Sequence, residues 1–345
     1  MPRPARPALS LERDVLLFFE DRDRDTLLRG DRHLRRRVRR SVAPLRGQRQ
    51  RVSGFEMSFI LLRRALEAAG RRVHVNARAL ALANPEFPIG LCGYTHVLEY
   101  NDLPNPAVLG PGILDHPKQR PALFDDPRYR SYLVLCEWMR EMFATVYRRD
   151  TLDLWFGGID LAMWPDVRTH DKTLDLLVYD KIRWNRDSLV PRFREPLLAE
   201  LQRRGLRFEI VRYGGYSHQD FKGLLARSRG MLFLCEHETQ GMAYQEALAS
   251  NVPVLAWDQG YWLDPNRVLW TAEPVRASSV PYFDPACGER FAIPEAFAPA
   301  LERFLERLDG YAPRAWVAEH LSFAASASLY LKAYYAAVAR CSVGA

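Results

Sequence analysis

Apolar and polar positions along the chain change period several times, and each change marks an element. Asp14-Val-Leu-Leu-Phe-Phe-Glu20 is an apolar run bounded by carboxylates, the pattern of a strand buried on both faces. After Ser53-Gly54, Phe55, Phe59, Leu62, Leu66 and Ala69 recur at spacings of four and three, one face of a helix that Gly70 ends. Val73-His74-Val75 begins the next strand, and short apolar runs follow at 89–92, 107–109 and 132–136, with helical stretches and loops between them. The alternation breaks at 154–166, LWFGGIDLAMWPD, rich in glycine and aromatic residues, and then restarts. Beyond it the pattern predicts strands at 174–179, 208–211, 231–235 and 252–256, and helices at 194–203, 219–228 and just before 252. Two further helices lie around 295–308 and 324–339. Strands alternating with helices imply parallel sheets covered on both faces, here two doubly wound α/β halves joined near residue 160.

Composition supports two domains. The chain has 345 residues, 48% of them hydrophobic and 26% charged, as in ordinary globular proteins. No apolar run approaches a membrane span, and the start MPRPARPALSLERD lacks the hydrophobic segment of a signal peptide, so a cytoplasmic location is expected. The five cysteines are scattered and form no C-x-x-C pair, which suits reduced thiols better than disulfides or a zinc site.

The net charge of +7 is concentrated in one place. Between Arg22 and Arg51 stand twelve arginines against three aspartates, with RHLRRRVRR read as helical. A solvated helix and loop needs no partner. A polybasic surface would instead hold the chain against anionic lipid, each charge contributing about 1 kcal/mol, at the inner membrane face where a lipid-linked acceptor lies. An anionic glycan acceptor would also account for it. A nucleic-acid surface is disfavoured, because no aromatic residues lie nearby for stacking.

The chemistry concentrates at 238–258, ETQGMAYQEALASNVPVLAWD. In an open parallel sheet, ligands sit at the carboxyl ends of strands, where the next helix offers free N–H groups and a positive dipole end. Gly241 at that mouth lets a ligand approach the backbone. Glu238 can accept two sugar hydroxyls there, and Glu246, two turns into the helix, can accept from a ribose diol. Taken alone, the same pair also reads as a helix-terminal charge and an exposed helix residue. Lys181 and Arg186, after the strand 174–179, read alone as solvated loop charges.

The order of these features resembles the retaining GT-B glycosyltransferases of the family 4, or group 1, type. The signature is Glu238, seven residues, Glu246-Ala-Leu-Ala249 and Pro253-Val254, with Cys235 as the small residue three before the first glutamate. The basic pair five apart is Lys181 and Arg186, and the linker preceding an aromatic and Pro is FGGIDLAMWP. The likeness runs in order over 154–258. It implies the GT-B fold, two Rossmann-like domains facing a central cleft: an acceptor-side domain at 1–160, a donor domain at 161–322, and a final helix at 323–345 packing back on the first. The linker 157–166 would carry domain closure.

Carried over residue by residue, the resemblance implies that Lys181 and Arg186 neutralise a donor diphosphate, Glu238 holds donor-sugar hydroxyls, Glu246 the ribose, and Gly241 gives backbone access. His116, in GPGILDHPKQ, is the candidate histidine facing the sugar, with His96 behind it; either also reads as a structural hydrogen-bonder. Gly54 is a candidate for approach to the diphosphate or an ordinary helix-opening turn. Tyr213 to Tyr216, with Gly215, is the candidate wall for the base. The chain departs from the family at Thr239, where glycine is usual, and in a shorter stretch between 203 and 215. The implied substrates are a nucleoside-diphosphate sugar, with no separate cofactor, and a glycan, lipid-linked or small-molecule acceptor.

Other motifs are set aside. The DRDRD of 21–25 contains the Asp-x-Asp that binds a metal–diphosphate in GT-A enzymes, but it follows the first strand among arginines and reads as a solvated turn. No histidine pair has zinc spacing, so no metal is expected. Neither a G-x-x-x-x-G-K-[ST] loop nor a G-x-S-x-G elbow occurs. Two rival functions stay open: a sugar-nucleotide epimerase of the same fold, and a catalytically silent GT-B protein binding a partner or membrane through its arginine face.

Overall fold

A computed structural model describes residues 9–20 and 53–339. The arginine-rich segment, with its expected helix and its DRDRD turn, lies outside the described residues. The chain divides into two compact units, one of residues 1–115, 122–133 and 330–345, the other of 116–121 and 134–329. Among the described residues no helix is long and apolar enough to cross a membrane, and Cys92, Cys136, Cys235 and Cys287 are buried free thiols.

The first sheet runs in the order β2-β1-β3-β4-β5-β6, with β1 Asp14–Glu20, β2 Arg72–Val75, β3 Ile89–Tyr94, β4 Ala107–Ile113, β5 Tyr129–Val134 and β6 Leu152–Leu154. The pairs from β2 to β5 are parallel. Helix α1, Gly54–Ala68, starts where Ser53 caps it, its Oγ accepting the Glu56 N–H at 3.1 Å. Phe59, Leu62 and Leu66 are buried as the period predicts, whereas Ala69 is exposed because the helix has ended by then. The short helices α2 (Arg78–Ala83) and α3 (Val97–Tyr100) and the helix α4 (Glu137–Phe143) complete the connections. The strand expected at 132–136 is displaced toward its N-terminus, since extended Cys136 serves as the residue preceding α4.

The second sheet holds β7 Leu174–Lys181, β8 Phe208–Arg212, β9 Ser228–Cys235, β10 Val254–Trp257 and β11 Gly288–Phe291, in the order β11-β10-β9-β7-β8 and parallel throughout. Alternate residues of β7 enter two separate cores. Leu177 and Tyr179 pack with Phe221 and Tyr244 from helices α7 (His218–Ala226) and α8 (Met242–Ala249). Leu176 and Val178 pack on the opposite face with Leu201 and Phe304. Those come from α6 (Glu195–Arg203), which follows α5 (Arg186–Leu189), and from α9 (Phe297–Glu306). Burial on both faces explains why these strands read as unbroken apolar runs.

Several short elements went unread, β6 and α5 among them, and for two others the reason is plain. β11 is the edge strand Gly-Glu-Arg-Phe, with only its end residues buried, and α10 (Pro313–His320) buries little more than Pro313 and Val317. Neither leaves a hydrophobic pattern long enough to detect. The glycine-rich stretch after β6 is extended: Ile159 N–H donates to Leu321 O at 2.8 Å. A Cβ on Gly158 would stand 2.7 Å from the Phe323 ring, so only glycine permits that approach. Phe323 opens the last helix, α11 (Phe323–Ala339), whose Tyr334 hydroxyl accepts the Leu16 N–H at 2.9 Å and donates to Pro88 O.

Candidate functional site

The order of the second sheet has its switch point between β7 and β9, whose connections leave in opposite directions and open a crevice at the carboxyl ends. The last residues of these strands, Lys181 and Cys235, are in register. Lys181 Nζ forms an ion pair with Glu238 across this point, and both side chains are nearly buried, at 12% and 13% exposure. The ammonium also lies 4.4 Å from the centre of the Tyr213 ring. Burial works to discharge Lys181, but the Glu238 carboxylate more than offsets it and holds the pKa above the ordinary value.

The backbone of Glu238 is pinned on both sides. Its N–H donates to Ser278 O at 2.8 Å and its carbonyl accepts the Trp138 indole N–H at 2.9 Å. Gly241, immediately before α8, has φ +81°, and a Cβ there would lie 2.1 Å from the Tyr244 ring. Glycine is therefore required by the turn and by the ring it covers. Upstream, the Gln240 side chain reads both backbone groups of Gly157, accepting its N–H at 3.0 Å and donating to its carbonyl at 2.6 Å.

Glu246 is buried inside α8, 3.6 Å from the Nε2 of exposed His218 at the start of α7. Burial raises the Glu246 pKa, with His218 opposing it, and the pairing with Glu246 raises that of His218. Gly215, exposed in the turn after β8, leaves a Cβ position 3.2 Å from Arg212 O.

Arg186 stands elsewhere. Asp180 and Lys181 are successive strand residues and point to opposite faces. Arg186 makes a two-pronged pair with Asp180 at 2.8 Å on each oxygen and also donates to Ile182 O, while Arg194 adds a bond to the same carboxylate at 2.6 Å. Asp180 is only 1% exposed. Burial opposes its charge, but the two arginines prevail and lower its pKa.

His116 is buried and caps the short turn Pro117–Gln119, its Nδ1 accepting the Lys118 N–H at 3.2 Å. Its ring lies nearly parallel to Trp262 and Trp270, with centres 6.2 and 5.9 Å away. Burial and Lys118 lower its pKa to about 4, so it is neutral near pH 7 with the proton on Nε2. His96 lies in the first unit, buried beside Tyr94 and Tyr100, with neither ring nitrogen hydrogen-bonded. Gly54 is exposed at the start of α1, with nothing within 4 Å of a would-be Cβ.

The structure thus brings Lys181, Glu238 and Gly241 together, with Glu246 behind them in α8. It shows Arg186 bound to Asp180 and His116 among tryptophans. Sequence reasoning missed Asp180, His218 and the buried pair Glu236–His237 preceding Glu238. Only strand parity could have flagged Asp180, since it precedes Lys181. Among the described residues no group of three or more His, Cys, Asp or Glu side chains is arranged to hold a metal ion.

No family model matches the sequence, and no curated protein matches it. Solved structures do match. Sucrose-phosphate synthase from Thermosynechococcus elongatus aligns over 95% of this chain and 100% of its own, at 13% identity and a TM-score of 0.51. The lipopolysaccharide outer core galactosyltransferase WaaB aligns over 94% and 99%, at 11% identity and a TM-score of 0.49. TarM from S. aureus, solved as a point mutant with fondaparinux, alpha-GlcNAc-glycerol and UDP, aligns over 72% of this chain at 11% identity and a TM-score of 0.47. This chain spans 55% of TarM's length. The fold is that of the GT-B glycosyltransferases, built of two Rossmann-like domains.

Proposed function

We propose that the chain is a metal-independent glycosyltransferase that takes a sugar from a nucleoside-diphosphate donor, with retention of anomeric configuration. One observation carries the reading: Lys181 and Glu238 meet at the switch point of the second sheet, beside the glycine that opens α8.

The pair is suited to an exchange of partners. As a diphosphate enters, Lys181 turns to it and neutralises the charge that grows as the glycosidic bond breaks. Glu238, released from the lysine, accepts the sugar hydroxyls. Glu246 accepts the ribose diol from within α8, and Tyr213 with Gly215 forms the base wall. Arg186, anchored by Asp180, adds its field from the other side of the strand end. His116 takes part as a neutral donor through Nε2. The departing diphosphate itself removes the acceptor proton, so no carboxylate base is assigned.

The acceptor, a glycan or lipid-linked sugar, belongs to the first unit. A cavity of about 180 Å³ at the carboxyl end of β1, lined by Phe18, Asn76, Arg78 and Tyr100 among others, is the place for it. Gly54 offers an unobstructed backbone in the same unit. A cytoplasmic enzyme lying against the inner membrane face through 22–51 fits this reading.

The test is hydrolysis of nucleotide sugars without acceptor. Slow release of nucleoside diphosphate, lost in Glu238→Ala, is expected, and the anomeric proton of a transfer product should show the donor's configuration. Binding without turnover would favour a silent protein, and an inverted product would refute the retaining mechanism.

A further inference from the structure

Lys181 sits at the head of a turn, 181–186, that must be held in place for its charge to act. Two backbone N–H groups of that turn, from Arg183 and Trp184, donate to one oxygen, Glu236 Oε1, at 2.8 and 3.0 Å. Glu236 follows the last residue of β9 and is 1% exposed. Its own carbonyl accepts from Gln259 Nε2 at 2.9 Å, and Gln259 Oε1 accepts the Tyr261 N–H at 3.1 Å. One residue therefore ties the turns after β7 and β10 to the head of β9, the three loops that border the switch crevice. The Trp184 ring, stacked on His237 with centres 4.9 Å apart and planes 7° apart, holds the same turn a second way.

The arrangement is not one that stability alone favours. The other oxygen, Glu236 Oε2, is buried and makes no hydrogen bond, an expense a neutral or apolar residue would avoid. Burial accordingly raises the pKa of this carboxyl. A carboxylate oxygen does, however, accept two amides more strongly than a neutral group can.

We propose that Glu236 is a positioning residue whose carboxylate fixes the turn 181–186, so that Lys181 stands where a ligand's diphosphate meets it. The identity of that ligand rests on the nucleotide-sugar reading; the clamp itself does not. Glu236 would then control affinity for diphosphate and leave the nucleoside contacts of Glu246 alone.

The experiment uses the full chain and three variants, Glu236→Ala, Glu236→Asp and Glu236→Gln. Affinities for UDP, GDP, ADP and dTDP are measured beside those for uridine, guanosine, adenosine and thymidine. Amide hydrogen exchange is followed over 182–186. Glu236→Ala should weaken the preferred diphosphate about tenfold and leave its nucleoside within about twofold. Glu236→Asp, which keeps the charge but shortens the arm, should fall with the alanine variant, and Glu236→Gln, which keeps the reach but accepts the two amides with a neutral oxygen, should lie between that variant and wild type. If alanine does not fold, the Asp–Gln contrast decides. Exchange at Arg183 and Trp184 should quicken in the variants that lose the contact. Unchanged exchange there overturns the clamp. Equal loss for diphosphate and nucleoside makes the role merely structural and also overturns it. If wild type binds none of the diphosphates, the glycosyltransferase reading fails, and exchange alone judges the clamp.

Discussion

Lys181→Ala should slow donor cleavage by about 10²- to 10³-fold, the loss typical of removing one preorganised group from developing charge. The effect should fall mainly on kcat, because charge on the diphosphate is greatest after the glycosidic bond has stretched. Glu238 complicates the variant. Its carboxylate, nearly buried, loses its ammonium partner, and an uncompensated buried charge is costly. Thermal unfolding must therefore accompany the kinetics. Lys181→Arg keeps the charge and serves as the comparison, since it restores neutralisation even with imperfect geometry. A Lys181→Ala enzyme that is folded and as fast as wild type would remove the lysine from the mechanism.

Asp180→Ala should be the most damaging substitution for stability. It leaves Arg186, more than three-quarters buried, with no carboxylate partner and only the Ile182 carbonyl, while Arg194, equally buried, keeps Glu195 alone. Breaking a buried pair in this way costs about 3–5 kcal/mol, which for a unit of this size lowers Tm by about 10 °C. The pH dependence has a definite sign. Asp180 has its pKa lowered from 3.8 in the fold, so its contribution is complete above that value and is lost as pH falls below it toward the folded pKa. The variant should therefore show a smaller acid-induced loss between about pH 4 and 2 than wild type. A Tm unchanged in Asp180→Ala would contradict the structural role assigned to this triad.

Much of the architecture is legible in the chain alone. The strands β1, β7 and β9 announce themselves as continuous apolar runs because both faces are covered. Glu238, Gly241 and Glu246 are legible as a group because a strand end, a glycine and a helix follow one another within a dozen residues. What was hidden depends on three dimensions. Arg186 and Lys181 looked equivalent at a spacing of five, yet Asp180 points to the opposite face from Lys181 and takes Arg186 with it. Glu236 carries no motif of its own in the sequence, and only the fold shows its carboxylate under the backbone of Arg183 and Trp184. The resemblance offers His116 only as a histidine facing the sugar. Its cap on the next turn and its flanking tryptophans, far along the chain at Trp262 and Trp270, are contacts that no local pattern encodes.

Everything proposed for the second unit depends on a nucleoside-diphosphate site at the head of β7 and β9. Calorimetric titration with UDP, GDP, ADP, CMP and dTDP tests it most directly, with Lys181→Ala and Glu246→Ala as controls. Tight binding of one nucleotide is expected, weakened in both variants, with the lysine substitution mattering more for the diphosphate than for its nucleoside. Absence of binding by all five, or tight binding indifferent to both substitutions, would contradict it.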